Sequence, residues 1–155
     1  RLIQQGAKLV MDGGDVLVAG KKIFIGLSTR SNTEAVSQLN ALLAPYGYTV
    51  CGVEMTDCLH LKTAVTRVDD TTLLINPNWV DSSNFPGFNL IEVDASEPFA
   101  ANCLPVRGKI LYPITFPNTR KRLEEKGFNI VPMDLSELAK AEGALTCCSL
   151  IVEEA

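Results

Sequence analysis

Residues 15–53, DVLVAGKKIFIGLSTRSNTEAVSQLNALLAPYGYTVCGV, contain the pattern that decides the fold. Two short apolar runs separated by a Gly-Lys turn predict a β-hairpin. Asn32 or Thr33 is suited to cap the helix that follows, whose apolar side chains recur at helical spacing up to Pro45. Because residues 48–53 form a third apolar run, the predicted order is strand, strand, helix, strand.

The same order recurs twice further along the chain. A second hairpin at 64–75 leads to a strand at 90–93, and the Pro- and Asn-rich connection 76–86 predicts only a short helix around Trp79. Residues 102–131 predict a third hairpin, a charged amphipathic helix and a strand. Repeats of about 40 to 50 residues are typical of ring or array architectures. We therefore predict an α/β fold of three strand-strand-helix-strand modules.

The C-terminal segment, Leu145-Thr146-Cys147-Cys148-Ser149-Leu150-Ile151-Val152, predicts a further strand after a short helix at 136–142. Alternation along a strand would place Cys148 on the core face and Cys147 on the more polar face. Cys147 is therefore the better candidate for a reactive thiol, although free cysteines are often simply small buried residues. A short strand is also predicted at 7–11.

Composition limits the classes of partner. The chain has 155 residues, of which 46% are hydrophobic, and a net charge of −4, as expected for one globular domain. It has no basic block for nucleic acid and no apolar run long enough to cross a bilayer. The five cysteines lack Cys-x-x-Cys spacing, which argues against a structural zinc site or a disulfide framework and indicates a cytoplasmic location.

Three polar positions could carry chemistry. His60 is the only histidine, and strand-like alternation would place it with Lys62 on the face opposite the flanking leucines. A cysteine and a distant histidine are the usual layout for thiol catalysis, but a lone histidine can also be structural. The turn Asp12-Gly13-Gly14-Asp15 has more carboxylates than a plain turn needs, and these could bind a cation, a guanidinium or an imidazole. Arg30 suits a carboxylate, or is simply an exposed residue at a helix start.

Five motifs, in this order, resemble the C-terminal part of dimethylarginine dimethylaminohydrolase: DGGDVL (12–17), GLSTRSN (26–32), LHLK (59–62), AANC (100–103) and LTCCS (145–149). The resemblance implies a pseudo-fivefold α/β propeller of strand-strand-helix-strand modules. About three of the five modules are expected here. We therefore expect residues 1–155 to form a single catalytic domain that is incomplete, with its N-terminal modules missing.

The resemblance also implies an activity, the hydrolysis of Nω-methylated arginines to citrulline and a methylamine. It assigns Cys147 as the nucleophile, His60 as the general acid/base and Asp12 as the acid near the histidine and the guanidinium. No cofactor is expected to be required. A thiolate beside an imidazole can also bind zinc, so inhibitory zinc on Cys147 and His60 is a further expectation.

Substrate contacts and partners follow from the same resemblance. Arg30 is expected to hold the substrate α-carboxylate, and the carbonyl of Ala141 to contact its α-amine; Glu142 stands where related sequences have an Asp. The expected partner is a small molecule, a methylated arginine, with an N-terminal half or a second copy of the chain as a possible protein partner. The alternatives are an arginine or agmatine deiminase-like enzyme and a non-catalytic fragment.

Overall fold

The computed structural model describes residues 8–152 and contains three small three-stranded sheets in succession. The strands are β1 (Val16–Ala19), β2 (Lys22–Leu27), β3 (Thr49–Glu54), β4 (Val65–Arg67), β5 (Thr72–Ile75), β6 (Asn89–Glu92), β7 (Leu104–Val106), β8 (Lys109–Pro113) and β9 (Ile130–Met133). The α-helices are α1 (Thr33–Leu43), α2 (Leu61–Ala64), α3 (Pro117–Glu125) and α4 (Ser136–Ala139), and short 3₁₀ turns cover Gly13–Asp15, Ala44–Tyr46 and Ser82–Asn84.

Each sheet repeats one topology. The first two strands form an antiparallel hairpin, and the third strand pairs in parallel with the second, in the orders β1-β2-β3, β4-β5-β6 and β7-β8-β9. A parallel third strand requires a crossover, which α1 and α3 supply in the first and third sheets. We refer to residues 16–54, 65–92 and 104–133 as modules 1, 2 and 3. The three predicted modules are therefore present.

Local signals explain module 1. The side chain of Asn32 accepts a hydrogen bond from the N–H of Ala35 and so caps α1, as predicted. Gly47 has a φ of 79° where the chain turns back toward β3, a conformation that favours glycine. The hairpin places Val16 opposite Ile25, as expected for strands joined by a two-residue turn.

The crossover of module 2 differs from its prediction. No α-helix forms around Trp79; residues 77–79 form a turn, and a 3₁₀ turn follows at Ser82–Asn84. The side chain of Asn76 accepts a hydrogen bond from the N–H of Asn78, and Asp81 does the same for Ser83. These local turns compete with helical backbone bonding, so the predicted short helix was wrong.

Shared cores fix each module to the next. One buried cluster joins modules 1 and 2 and includes Leu17 and Leu73, and a second joins modules 2 and 3 and includes Leu74 and Tyr112. The first strands of the modules are neighbours, with β1 beside β4 and β4 beside β7. The segments that precede these strands, 12–15, 58–64 and 100–103, consequently gather on one side of the molecule.

The cysteine segment is not the predicted strand. Residues 145–148 form a turn in which the N–H of Cys148 donates to the carbonyl of Ala144, and residues 149–152 are not in a strand. Leu145 is buried, but Leu150 and Val152, assigned to the core face, are 90% and 79% exposed. An isolated extended segment leaves its backbone groups without partners, and the described residues supply no neighbouring strand for this one.

Two other boundaries are corrected. The helix predicted at 136–142 ends at Ala139 and continues as a turn. Residues 8–11 of the predicted N-terminal strand are not in a strand, and Ala7 lies outside the described residues. Among residues 8–152, no helix is long and apolar enough to cross a membrane.

Candidate active site

A cavity of about 1000 Å³ opens where the segments that precede the first strands meet. Its lining includes Asp12, His60, Glu142 and Cys147, which are four of the six predicted site residues. These residues come from the start, the middle and the end of the described chain. The fold thus brings the candidate nucleophile and the candidate acid/base to one cavity.

The imidazole of His60 lies between the carboxyl group of Asp12 and the guanidinium of Arg30. Its Nε2 atom is 3.5 Å from Oδ1 of Asp12 and 3.2 Å from Nη1 of Arg30. The N–H of Gly14 donates to Oδ1 of Asp12 at 2.8 Å, and this bond, with the nearby His60 and Arg30, lowers the pKa of Asp12 below its ordinary value. Asp12 is therefore a carboxylate at neutral pH.

Gly14 makes room for the imidazole. A Cβ atom at this position would lie 2.6 Å from ring atoms of His60, which is closer than van der Waals contact allows. The strand-like alternation predicted around His60 is wrong, because α2 begins at Leu61. Leu61 is fully buried, whereas Leu59 is 52% exposed.

Asp15 holds the chain beside His60. Its buried carboxylate accepts hydrogen bonds from the hydroxyls of Ser28, at 2.9 Å, and Ser31, at 2.7 Å, and from the N–H of Leu61, at 3.1 Å. The sequence showed only that the turn has one carboxylate more than it needs. The second carboxylate of the turn was the signal that could have identified Asp15. Its role, which is to link module 1 to α2, was not predicted.

Cys147 lies in the exposed turn at 145–148. Its sulfur is 3.0 Å from the donating N–H of Ala144 and 3.8 Å from the sulfur of Cys148. The hydrogen bond between the two thiols raises the pKa of Cys148, so that Cys148 stays protonated. Cys58 also lines the cavity, and burial, helped by nearby carboxylates, raises its pKa to about 11. Both shifts favour the protonated thiol, which is the less nucleophilic form, at Cys148 and Cys58.

Two of the predicted substrate-binding residues, Arg30 and Ala141, are not in the cavity lining, whereas Glu142 is. Arg30 contacts His60, as described above, and its main-chain N–H is bonded to the hydroxyl of Ser28. Ala141 is exposed in the turn after α4, where its N–H donates to the carbonyl of Leu138. Glu142 follows with a φ of 56°, a left-handed conformation that is rare for a residue with a side chain.

The zinc expectation remains a prediction. In the described part of the chain, no group of three or more His, Cys, Asp or Glu side chains is arranged to hold a metal ion. Cys147 and His60 would supply two ligands at most, fewer than the four of a structural zinc site.

Known proteins resemble the chain in sequence and in fold. The family model described as arginine deiminase matches residues 3–103. The N(G),N(G)-dimethylarginine dimethylaminohydrolase of Pseudomonas aeruginosa is 33% identical over 140 residues, covering 90% of this chain and 55% of the relative. The enzyme of the same name from Streptomyces coelicolor is 35% identical over 146 residues, covering 93% and 55%. The chain thus spans about half the length of the curated relatives it matches.

A solved structure confirms the predicted fold class. A mutant of the Pseudomonas aeruginosa enzyme, in which a serine replaces a cysteine, complexed with citrulline, superposes with a TM-score of 0.82 and 31% identity. The match covers 91% of this chain and 55% of that one. The chain therefore belongs to the arginine deiminase family, and the resemblance to dimethylarginine dimethylaminohydrolase that its motifs predicted is confirmed.

Proposed function

We propose that this chain carries the catalytic residues of an enzyme that hydrolyses Nω-methylated arginines to citrulline and a methylamine. The observation that carries the proposal is the single cavity that Cys147, His60 and Asp12 line together. The citrulline in the related mutant's structure supports it, because citrulline is the product of this reaction. The names of the two curated relatives support the same reaction.

Charge complementarity suits the cavity to a guanidinium head. A guanidinium is a flat cation whose N–H groups pair with carboxylates, and Asp12 is a carboxylate at the edge of the cavity. Holding the flat head in one plane exposes its central carbon to a nucleophile along the perpendicular direction. Arg30 and the carbonyl of Ala141 are proposed to hold the α-carboxylate and the α-amine of the substrate, and Glu142 to contact it from the same turn.

The reaction proceeds in two halves. The thiolate of Cys147 attacks the guanidino carbon, and a C–S bond forms. His60 gives its proton to the departing dimethylamine as the C–N bond breaks, which leaves a thiouronium-type covalent intermediate. His60 then takes one proton from water, and the resulting hydroxide attacks the same carbon. The C–S bond breaks to release the thiolate, and the remaining proton on the oxygen passes to solvent, which leaves citrulline. No cofactor takes part in these steps.

An arginine deiminase is the second candidate. The description of the matching family model favours it, and it would use the same cysteine and histidine with ammonia as the leaving group. The two candidates differ in the groups that surround the departing nitrogen. Comparing methylated with unmethylated substrates separates them.

The proposal also includes a protein partner for the chain and its location in the cell. Because the chain spans about half the length of its curated relatives, we propose that an N-terminal half or a second copy of the chain supplies further substrate contacts.

All five cysteines are free thiols, which supports a cytoplasmic location, where thiols stay reduced.

Turnover of a substrate panel tests the activity. Asymmetric dimethylarginine, monomethylarginine, arginine and agmatine are incubated with the 155-residue chain and, in parallel, with the protein as encoded in its gene. Citrulline and the released amine are measured. We expect citrulline with dimethylamine or methylamine from the methylated arginines, and none from the Cys147→Ser variant. Ammonia release from arginine alone would establish the deiminase, and no turnover by either protein would contradict both candidates.

A further inference from the structure

One buried amide connects the two halves of the candidate active site. Asn102 lies just before β7, and only 7% of it is exposed. Its Nδ2 donates to the carbonyl of Lys62 at 2.9 Å and to Oγ1 of Thr146 at 2.9 Å. Its Oδ1 accepts the N–H of Thr146 at 3.2 Å. Both ends of the amide are therefore engaged by protein groups, at a place where Asn102 and Thr146 also form part of the cavity lining.

The groups that Asn102 holds are next to the reacting residues. Lys62 is in α2, two residues after His60, and Thr146 immediately precedes Cys147. The three hydrogen bonds thus connect the segment of the candidate acid/base to the segment of the candidate nucleophile. Asn is suited to this task because one short side chain offers two donors and an acceptor.

Few other described contacts bind the cysteine turn to the body of the molecule. The N–H of Ala144 donates to the sulfur of Cys147, and the N–H of Cys148 donates to the carbonyl of Ala144. Both bonds lie within the turn, so they fix its shape and not its position on the body of the molecule. Leu145 is buried and gives an apolar anchor on one side. An apolar anchor is not directional, whereas hydrogen bonds set both distance and orientation.

We propose that Asn102 is a positioning residue that sets the separation and orientation of the Cys147 sulfur relative to the His60 imidazole. This inference depends on the proposed function, because the separation matters only if both groups act on one substrate carbon. Asn102 itself touches neither reacting atom. It acts through Thr146 on one side and Lys62 on the other.

Steady-state kinetics of Asn102→Ala give the main test. We expect kcat to fall by about 100-fold, while KM changes by less than about 3-fold, because misplacing a reacting group by an ångström is costly whereas the substrate contacts remain. The exposed Asn129 provides the matched control, and Asn129→Ala should leave both constants unchanged. A rise in KM at constant kcat, or an unchanged kcat per folded molecule, would overturn the proposal.

Two conservative substitutions of Thr146 test the same bridge while leaving the Asn102 side chain in place. Thr146→Val keeps the shape but removes the hydroxyl that accepts from Asn102, and we expect kcat to fall by roughly 10-fold. Thr146→Ser keeps the hydroxyl and should restore most of the rate. Equal rates in the two variants would count against the bridge, even if Asn102→Ala failed to fold.

Alkylation of the paired thiols provides a readout that does not depend on turnover. Iodoacetamide labelling of the protein as encoded in its gene, followed by peptide mass spectrometry, gives the ratio of modification at Cys147 to that at Cys148. We expect Cys147 to be favoured in the parent protein and the preference to fall toward equality in Asn102→Ala. An unchanged ratio would overturn the positioning role. If the parent makes no citrulline, the proposed function fails, while this ratio still decides whether Asn102 holds the turn.

Discussion

The segments that carry His60 and Cys147 are held in different ways. His60 stands directly before α2, where Leu61 and Ala64 are fully buried in the core shared by modules 1 and 2. Cys147 lies in an exposed turn, and Leu150, a few residues later, is 90% exposed. The candidate acid/base is thus built into the folded core, whereas the candidate nucleophile is attached to its surface.

This difference predicts two kinds of mutational effect. A change near His60 removes core contacts or buried hydrogen bonds, so it lowers the free energy of unfolding together with activity. A change near Cys147 removes few buried contacts, so it acts on turnover with little loss of stability. The surface attachment leaves the thiol open to the cavity, where a reacting sulfur has to meet its substrate.

The largest expected effect is on the cysteine side. Cys147→Ser should lower kcat by on the order of 10⁴-fold or more, because a hydroxyl is a far weaker nucleophile than a thiolate. Its melting temperature should stay within about 2 °C of the parent, because the turn is exposed. Cys148→Ser is the matched control and should keep a tenth or more of the parent activity, as measured by citrulline formation. The opposite ranking of the two variants would identify Cys148 as the nucleophile.

A smaller effect, mainly on stability, is expected on the histidine side. Asp15→Ala leaves the N–H of Leu61 and two serine hydroxyls without their buried acceptor, which should lower the free energy of unfolding by about 3 kcal/mol. Urea denaturation measures the loss. Asp70, whose side chain is 88% exposed, is the control, and Asp70→Ala should change the same quantity by less than about 0.5 kcal/mol. Equal effects in the two variants would show that Asp15 does not anchor α2.

The smallest expected effect concerns the fit of the imidazole. Gly14→Ala introduces a Cβ atom 2.6 Å from the ring of His60, so the ring has to move away from position 14, which changes its place beside Asp12. We expect kcat to fall by about 10-fold, with a smaller change in stability, because a side chain can yield more easily than backbone. Gly13→Ala provides the comparison, because a Cβ there meets no atom within 4 Å. Similar kinetics for both variants would mean that the ring position does not limit the rate.

Much of the architecture could be predicted because its signals are local. The hairpin turns, the Asn32 cap and Pro117 at the start of α3 all act within a few residues, and each element lies where its signal indicates. The error at Trp79 is also local, because the side-chain bonds that Asn76 and Asp81 make to the N–H groups two residues later favour turns over a helix.

The two wrong predictions near the candidate site depend on groups that are far away in the sequence. The alternation predicted at His60 failed because α2 begins at Leu61, whose N–H is held by a carboxylate 46 residues earlier in the chain. The strand predicted at the cysteines failed because extended backbone needs a neighbouring strand, which the described residues do not provide. A residue pattern can show that a strand is suitable, but not whether a partner is available.

The sequence by itself determined the repeated strand order and the residue types for thiol chemistry, including the resemblance to a family, because these depend on neighbouring residues and on motifs. Only the tertiary structure decided that Asp12, His60 and Cys147 share a cavity, and that Asn102 connects groups 40 and 44 residues away. The physical reason is that the three first strands are neighbours, so segments far apart in the chain meet where those strands begin. That neighbourhood comes from the cores shared between modules, which no local pattern encodes.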